Sequence, residues 1–379
     1  MKIGIEGQRL FRVKKHGMDM VALELIRNLQ KIDKENEYFI FVKPDEDRNC
    51  LQESENFHII PLAGGPYPLW EQYALPKAAK KYGCDLLHCT SNTAPVFTDI
   101  PLVVTLHDII YLESISLFAK GGTWYQKSGN MYRRFVVPRV VEKSRKIITV
   151  SHFEKNRIKH FFDFPEEDQR LVAIYNGVSE HFVPVTDRDT LLKVKQKYNL
   201  PDNYVFFLGN TDPKKNTKGV LQAFSKYLSE GNPPLKLVML DYEKTALSAL
   251  LSEIGAPDLI RHIHLTGYVV NTDLPSIYSQ ASLFLYPSLR ESFGIPMLEA
   301  MRCGVPVITS NTSSMPEVSG GAALIIDPFK PDEITAGMKQ IMESDSLRND
   351  LISKGIKQSD SFSWRNMAIE VLKLYNTIG

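Results

Sequence analysis

Two glutamates, Glu291 and Glu299, lie eight residues apart on either side of a helix start that Pro296 marks. Proline suits the first helical position, whose amide would be unpaired anyway, and Ile295 before it has no side chain that can cap the helix. Such a helix start is a site for anions, above all phosphate. Glutamates repel phosphate but accept hydrogen bonds from sugar hydroxyls, so the stretch predicts a clamp for a sugar joined to a phosphate. The alternative is an ordinary strand–loop–helix unit with two solvated glutamates.

The elements that position these glutamates are predicted to form an α/β fold. Short apolar runs alternate with amphipathic segments of helical length, a pattern typical of parallel sheets covered by helices. Thirteen strands are predicted, from Lys2–Glu6 to Ala323–Ile326, and they fall into two doubly wound, Rossmann-like halves. Ser179–Asp189 is the best candidate for a linker. We therefore expect an N-terminal domain over residues 1–180 and a C-terminal domain over residues 181–360.

The composition excludes several broad classes of protein. Hydrophobic residues make up 43% and charged residues 23% of the 379 residues, ordinary values for a globular protein. A formal net charge of +1 gives no basic excess, so we expect no nucleic-acid partner. The four cysteines form no CxxC pair, so no metal site is predicted from them, and reduced cytosolic thiols are the simplest account. The N-terminus has the pattern of a buried strand and no apolar run approaches the ~18 residues of a membrane span, which predicts a cytoplasmic protein.

A basic segment over residues 133–146 follows a stretch, Glu113–Asn130, whose three glycines predict a loop. The basic side chains are Arg133, Arg134, Arg139, Lys143, Arg145 and Lys146. One explanation is a solvated helix face. The other is peripheral contact with anionic lipid at the inner face of a membrane, or with a lipid-diphosphate acceptor.

The block E-S-F-G-I-P-M-L-E-A at Glu291–Ala300, followed by G-V-P-V-I-T-S, resembles the E-x7-E signature of retaining glycosyltransferases of family 4. The resemblance covers nearly the whole chain and is tightest from Val205 to Val318. It implies a GT-B fold, in which two Rossmann-like domains face each other across a cleft. The C-terminal domain would hold most of the nucleotide sugar, and the N-terminal domain would lie on the acceptor side. It also implies that the last segment, residues 361–379, crosses back to the N-terminal domain as a helix.

The same resemblance assigns roles to residues of the signature block. Glu291 would face the donor sugar and Glu299 would hold the nucleotide ribose. The loop between them would bind donor phosphate and sugar oxygens; its residues are Ser292, Phe293, Gly294 and Ile295.

Two residues of the N-terminal half match the family's pattern. His107, after the predicted strand Leu102–Leu106, matches a strand-His-Asp block in which the histidine bonds hydroxyls of the donor sugar. Gly17 matches a glycine-containing loop near the donor diphosphate or the acceptor, although a turn glycine at a helix start explains it equally well. For His88, at another strand end, a structural role is the better explanation.

The loop after the first strand of the C-terminal half carries Lys214 and Lys215. Basic residues at a strand-to-helix loop can neutralise a diphosphate, and solvated turn lysines are the alternative. The lysine of the family's pattern that corresponds to Lys215 contacts donor phosphate, and Lys214 stands where relatives have arginine. Asn210 stands where many relatives have a second arginine, so this phosphate contact is missing, is weaker, or is supplied by Lys214 or Lys218. Backbone groups near Val269 would read the nucleobase.

The activity that the resemblance implies is transfer of a hexose, of mannose or glucose type, from a nucleotide sugar such as GDP-mannose or UDP-glucose. The acceptor would be a glycan or a lipid-linked acceptor in cell-surface polysaccharide or glycolipid synthesis. His107, Lys215 and Glu291 are the predicted catalytic residues, and no metal or other cofactor is expected. The alternatives are a nucleotide-sugar epimerase or a phosphorylase on the same fold, and a non-catalytic nucleotide-sugar-binding subunit.

Overall fold

The computed structural model describes residues 1–113 and 124–378. The chain divides into two compact units. The first unit contains Met1–Gly177 together with Trp364–Gly379, and the second contains Val178–Ser363. The change from the first unit to the second therefore falls between Gly177 and Val178.

In the first unit, the described residues form one sheet. Its strands are β1 (Lys2–Glu6), β2 (Glu37–Val42), β3 (Phe57–Pro61), β4 (Leu86–Cys89), β5 (Leu102–Thr105), β6 (Lys146–Thr149) and β7 (Leu171–Ala173). They lie in the order β3-β2-β1-β4-β5-β6-β7, and every pairing is parallel. Ile3 of β1 pairs with Tyr38 on one side and with Leu86 on the other, so β1 is central. The strands are near-continuous apolar runs because helices cover both faces of such a sheet.

Helices connect these strands. Their bounds are α1 (Gly17–Ile32), α2 (Tyr67–Leu69), α3 (Leu75–Lys81), α4 (Ile110–Glu113), α5 (Trp124–Lys143) and α6 (His152–Phe161). A π-helical turn, Trp70–Ala74, joins α2 to α3. Trp70 and Leu75 are buried against strand residues such as Phe41 and Leu87, in the same apolar cluster as Val140 of α5.

The second unit repeats the plan with a smaller sheet. Its described strands are β8 (Tyr204–Phe207), β9 (Lys236–Met239), β10 (Ile263–Leu265), β11 (Leu283–Tyr286), β12 (Val307–Ser310) and β13 (Leu324–Ile326). They pair in parallel in the order β10-β9-β8-β11-β12-β13. The thirteen predicted strands are thus confirmed, with ends that differ by at most one residue.

The second sheet is covered by helices in the same way. Their bounds are α7 (Arg188–Tyr198), α8 (Thr217–Ser229), α9 (Lys244–Glu253), α10 (Leu274–Ser279), α11 (Ile295–Arg302), α12 (Met315–Ser319), α13 (Pro331–Glu343) and α14 (Asp345–Asp360). Val220 and Phe224 of α8 are fully buried in one apolar cluster with Phe207, Leu237 and Leu285 of three strands. The last helix, α15 (Trp364–Asn376), packs on α1 and belongs to the first unit.

The structure corrects the predicted loop over Glu113–Asn130. From Trp124 onward this stretch is the first part of α5, and residues 114–123 lie outside the described residues. Val136 and Val140 are buried in the core of the first unit. Because this packing anchors the C-terminal half of the helix, α5 extends back past Gly129 despite its poor helix propensity.

Candidate active site

The site of the second unit lies where the chain order of the strands reverses. From β8 the chain moves outward to β9 and β10, and it then returns to β11 on the other side of β8. The loops that follow β8 and β11 therefore leave the sheet side by side. In open α/β sheets this reversal point, at the carboxyl ends of the strands, is where ligands bind.

Lys215 and Glu291 meet at this reversal point. Lys215 ends a 3-10 turn, Pro213–Lys215, in the loop after β8, and its Nζ donates to Oε1 of Glu291 at 2.5 Å. The same Nζ lies 3.3 Å from the hydroxyl of Tyr286, at the end of β11, and 5.1 Å from its ring centroid. The two charged side chains are only 17% and 12% exposed. The alternative explanation, that Lys215 and Glu291 are solvated surface side chains, is therefore wrong.

The loop that carries Glu291 is held by backbone hydrogen bonds to neighbouring loops. The amide of Leu289 donates to the carbonyl of Lys214 at 2.7 Å. The amide of Glu291 donates to the Ser313 hydroxyl at 3.0 Å, and the Ser314 hydroxyl donates to the carbonyl of Glu291 at 3.0 Å. These bonds fix the position of the Glu291 backbone.

Helix α11 begins at Ile295, one residue before the predicted start, and Pro296 is its second residue. The residue before the helix, Gly294, has a φ of 96°, and no side chain caps the helix start. A methyl group at Gly294 would lie 2.4 Å from Cε of Met315, so only glycine fits this turn. The uncapped start of α11 follows directly after the Glu291 loop, and uncapped helix starts of this kind favour anions.

Glu299 lies in the second turn of α11. Part of its surface is accessible to solvent, but many protein atoms lie around its carboxyl group. Its Oε2 accepts a hydrogen bond from the hydroxyl of Tyr278 at 3.2 Å. Burial raises the pKa of Glu299 to about 7, and the Tyr278 hydrogen bond opposes this rise only in part. Near neutral pH the group can therefore donate as well as accept a hydrogen bond, which suits a hydroxyl-rich ligand.

Three other predicted donor residues occupy the edge of this region. Asn210 accepts a hydrogen bond from the amide of Asp212 at 2.9 Å and so shapes the loop after β8. The Lys214 side chain is 42% exposed and lies 3.5 Å from a carboxylate oxygen of Asp212, so the solvated alternative fits it better than it fits Lys215. Val269 is buried, in the turn that follows β10.

The other two predicted site residues, His107 and Gly17, lie in the first unit. His107 is buried after β5, and its Nε2 lies 3.0 Å from the carbonyl of Thr90. That nitrogen carries the proton, which leaves Nδ1 as the hydrogen-bond acceptor of the ring. Burial lowers the pKa of His107, so the ring is neutral at pH 7. Gly17 is the first residue of α1, and a methyl group there would meet no heavy atom of the described residues within 4 Å.

His88 has the structural role that the sequence analysis favours. Its Nδ1 lies 2.6 Å from the Tyr375 hydroxyl of α15, and its Nε2 lies 2.8 Å from the Thr105 hydroxyl. Burial, together with the charge of nearby His107, lowers the pKa of His88 to about 3. The ring therefore stays neutral and ties α15 to the sheet.

The sequence analysis missed the residues that hold this constellation. Tyr286 and Tyr278 contact the two glutamates or their partner, and the hydroxyls of Ser313 and Ser314 fix the loop. The hydroxyl residues at the end of β12 and just after it were the only signal in the sequence; they are Ser310, Thr312, Ser313 and Ser314. Among the described residues, no cluster of three or more histidine, cysteine or carboxylate side chains has the geometry of a metal site. Within the same residues, no helix combines the length and the apolar character that a membrane crossing requires.

Comparison with protein families finds a match in each half of the chain. The family model described as Glycosyltransferase Family 4 matches residues 16–182, and the model described as Glycosyl transferases group 1 matches residues 189–358. The O-antigen chain mannosyltransferase B of Escherichia coli is 34% identical over 280 residues, which are 73% of this chain and 70% of that one. The serotype-specific mannosyltransferase WbdA of Escherichia coli is 29% identical over 242 residues, 62% of this chain but only 29% of the longer relative.

Solved structures share the whole architecture. Anabaena Alr3699/HepE, in complex with UDP-glucose, aligns with a TM-score of 0.75 over 100% of both chains at 17% sequence identity. Two Rossmann-like units, together with the two family matches, define a GT-B glycosyltransferase. The chain belongs to glycosyltransferase family 4, as the signature Glu291–Ala300 predicts.

Proposed function

We propose that this chain is a retaining, metal-independent hexosyltransferase that moves a mannose-type or glucose-type hexose from a nucleotide sugar to a glycan or lipid-linked acceptor. The observation that carries the proposal is the Lys215–Glu291 pair beside the uncapped start of α11. A cation, a carboxylate and free helix amides at one point suit a ligand with both phosphate oxygens and sugar hydroxyls.

The chemistry assigns a role to each group. When the bond between the sugar C1 and the phosphate oxygen breaks, negative charge grows on the leaving diphosphate, and fixed positive groups stabilise it. Lys215 Nζ has three protons, of which Glu291 and Tyr286 engage two, so the third is left for a phosphate oxygen. Glu291 holds the ammonium in place and accepts a hydroxyl of the donor sugar with its other oxygen. Glu299 binds the ribose hydroxyls.

For the stereochemistry we propose a front-face path. The acceptor hydroxyl approaches C1 from the side on which the diphosphate leaves, its oxygen forms the new bond, and its proton passes to the leaving phosphate oxygen. This path requires no enzyme carboxylate as a nucleophile. In the first unit, His107 is proposed to accept a donor-sugar hydroxyl at Nδ1, since Nε2 is held by Thr90. Gly17 would allow close approach of the donor diphosphate.

Mannose is the sugar that we favour, because both relatives described above are named mannosyltransferases. The name of one of them also supports an O-antigen-type polysaccharide as the product. UDP-glucose, which is bound in the Anabaena structure, is the second donor to test.

We further propose that one face of α5 contacts a membrane peripherally from the cytoplasmic side. Met131 and Phe135, one turn apart, are 64% and 56% exposed, and nearby Phe97 is 83% exposed. Arg139 and Lys143 continue the same face. Exposed apolar groups interleaved with cations are typical of surfaces that bind anionic lipid.

The test is a mass-spectrometric screen of the purified chain with a panel of GDP- and UDP-sugars, with and without EDTA, first alone and then with lipid-linked glycan acceptors. We expect turnover of one donor, insensitive to EDTA, lost in Glu291→Gln and retained in Glu343→Gln, an exposed carboxylate of α13. An altered nucleotide sugar without transfer would indicate an epimerase instead. Donor binding without turnover on any acceptor would indicate a binding subunit, and either result would overturn the proposal.

A further inference from the structure

The side chain of Asn216 joins three of the loops that leave the second sheet at the carboxyl ends of its strands. Asn216 follows Lys215 directly, between the 3-10 turn Pro213–Lys215 and α8. Its Nδ2 donates to the carbonyl of Pro287, in the loop after β11, at 3.1 Å and to the carbonyl of Pro328, in the loop after β13, at 2.7 Å. Because β13 is the edge strand and β11 and β12 separate it from β8, one side chain links loops that are spread along the sheet.

An amide side chain suits the space between these two carbonyls. Its NH2 group has two protons, and each carbonyl accepts one of them. A carboxylate of the same shape would turn lone pairs toward both carbonyls and form neither bond. The backbone of Asn216 is left-handed, with φ 58° and ψ 35°, a conformation that asparagine adopts more readily than most residues. A methyl group at Gly219, in the first turn of α8, would lie 2.5 Å from Asn216 Oδ1, so the glycine leaves room for the amide.

The bond to Pro287 fixes the backbone of Lys215 relative to the loop that carries Glu291. Pro287 is the first residue after β11, at the start of that loop. A second link joins the same two loops, because the amide of Leu289 donates to the carbonyl of Lys214 at 2.7 Å. A lysine side chain is a long and flexible stem, so accurate placement of its ammonium requires a backbone that is itself fixed.

We propose that Asn216 is a positioning residue for the glycosyl transfer. It holds Lys215 at the distance from the Glu291 loop at which the ammonium can reach the leaving phosphate. Backbone carbonyls engage both amide protons, so Asn216 acts through Lys215 and not on the substrate. The inference rests on the proposed function and deepens it, because it explains how the catalytic lysine is kept in place. Displacement of a catalytic group by about 1 Å can lower a rate by about 10²-fold, so such a link has a measurable effect.

The first experiment compares Asn216→Gly with Asn199→Gly. Glycine adopts the left-handed conformation without strain, so Asn216→Gly removes the amide and keeps the course of the backbone. Asn199, the exposed residue that follows α7, has nearly the same backbone, with φ 49° and ψ 41°, and is the matched control. We expect kcat to fall at least roughly tenfold in Asn216→Gly, with the donor KM changed less than about threefold, because Lys215 acts on charge that grows in the transition state. Asn199→Gly should change neither value.

The same substitution in a Lys215→Met background separates positioning from a general structural effect. If Asn216 acts through Lys215, Asn216→Gly should lower kcat less than about twofold once the lysine is absent. Single-turnover assays by mass spectrometry measure the low rates of these variants. An equal loss in both backgrounds would show a role independent of Lys215 and would overturn the inference, and so would a wild-type kcat in Asn216→Gly.

A second variant displaces the amide without replacing it. Gly219→Ala puts a methyl group against Asn216 Oδ1, and alanine is the better helix former, so α8 itself should not lose stability. We expect kcat to fall in this variant as well, and again not when Lys215 is absent. Where Asn216→Gly is too unstable to assay, Gly219→Ala decides the matter, and a wild-type kcat in it overturns the inference.

A ligand-free measurement keeps failure of this inference distinct from failure of the proposed function. Urea unfolding of Lys215→Met, Glu291→Gln and the double variant gives the coupling free energy of the pair, both in wild type and in Asn216→Gly. We expect the coupling to fall by at least about half when the amide is absent. An unchanged coupling contradicts the role of Asn216, whereas absent turnover of every donor by the wild-type chain contradicts the proposed function.

Discussion

The Nζ of Lys215 lies 2.5 Å from Oε1 of Glu291, although 76 residues separate the two in the chain. Lys215 follows β8 and Glu291 follows β11, and these strands are neighbours because the chain reverses its strand order between them. Both side chains are largely buried. A buried ion pair is weak evidence for stability, because desolvation offsets much of the attraction. The donor site proposed above accounts for the pair, because a nucleotide sugar bound there would use both partners.

Replacement of Lys215 by methionine should remove catalysis while the neighbouring lysine tolerates the same change. Removal of one fixed positive group at a leaving phosphate typically lowers kcat by about 10²–10³-fold. Lys214→Met is the matched control, since the Lys214 side chain is 42% exposed and does not reach Glu291. Steady-state kinetics with the donor found in the screen measure both variants. Similar losses in the two variants would contradict the role assigned to Lys215.

The energetic coupling of the pair can be measured with a double-mutant cycle. Lys215→Met and Glu291→Gln should each destabilise the free protein, because each leaves one largely buried group without its partner. The double variant should recover part of the loss, with a coupling free energy of about 0.5–3 kcal/mol. Urea unfolding of the four proteins without ligand gives the value. A coupling near zero would mean that the pair forms only when the donor is bound.

Glu299 predicts a pH dependence of stability with a definite sign. Its pKa is raised from 4.5 to about 7 in the folded protein, so the folded state binds the proton more tightly than the unfolded state. The cost of ionising the buried group is absent below about pH 4.5, grows as the pH rises, and is complete above about pH 7. It amounts to about 3 kcal/mol, because one pKa unit corresponds to about 1.4 kcal/mol.

Glu299→Gln removes this titration. Relative to wild type, the variant should gain unfolding free energy as the pH rises from about 4.5 to about 7 and then hold that gain. Glu343→Gln, an exposed carboxylate in the same unit, controls for the loss of a charge. Urea titrations across this range give the difference curves. A flat difference between wild type and Glu299→Gln would show that Glu299 is not perturbed.

Two glycines should respond oppositely to alanine. Gly294→Ala should lower the unfolding free energy by about 1–3 kcal/mol, because φ is 96° there and the new methyl group would lie 2.4 Å from Met315. Gly17→Ala meets no described atom within 4 Å, so its stability should change by less than about 0.5 kcal/mol. If the donor diphosphate approaches Gly17 closely, kcat/KM should nevertheless fall roughly tenfold, which corresponds to about 1.4 kcal/mol. Thermal unfolding and kinetics of both variants separate these effects, and an unchanged kcat/KM in Gly17→Ala would leave Gly17 as a turn glycine only.

The predicted strands are confirmed because parallel strands are buried on both faces and are therefore continuous apolar runs in the sequence. Helix α5 was mispredicted at its start, since glycine-rich sequence there favours a loop and only the burial of Val136 and Val140 extends the helix. The π-helical turn Trp70–Ala74 lies between α2 and α3, and nothing in the local pattern distinguishes it from the helices on either side.

Some features of the candidate site were likewise predictable from the sequence, and others were not. The uncapped start of α11 was predictable, because it depends on a few consecutive residues, Gly294 to Pro296, and on the absence of a capping side chain. The roles of Tyr286 and Ser313 were not predictable, because each depends on a partner from another segment of the chain.

The sequence by itself determined the two α/β halves, the family and the residue types at the signature, because these depend on local periodicity and on contiguous motifs. Only the tertiary structure decided that Lys215 is paired with Glu291 and that burial raises the pKa of Glu299 to about 7. The physical reason is that charge pairing and desolvation depend on distances of a few ångströms in space. Strand order sets those distances, and strand order is not visible in any one segment of the chain.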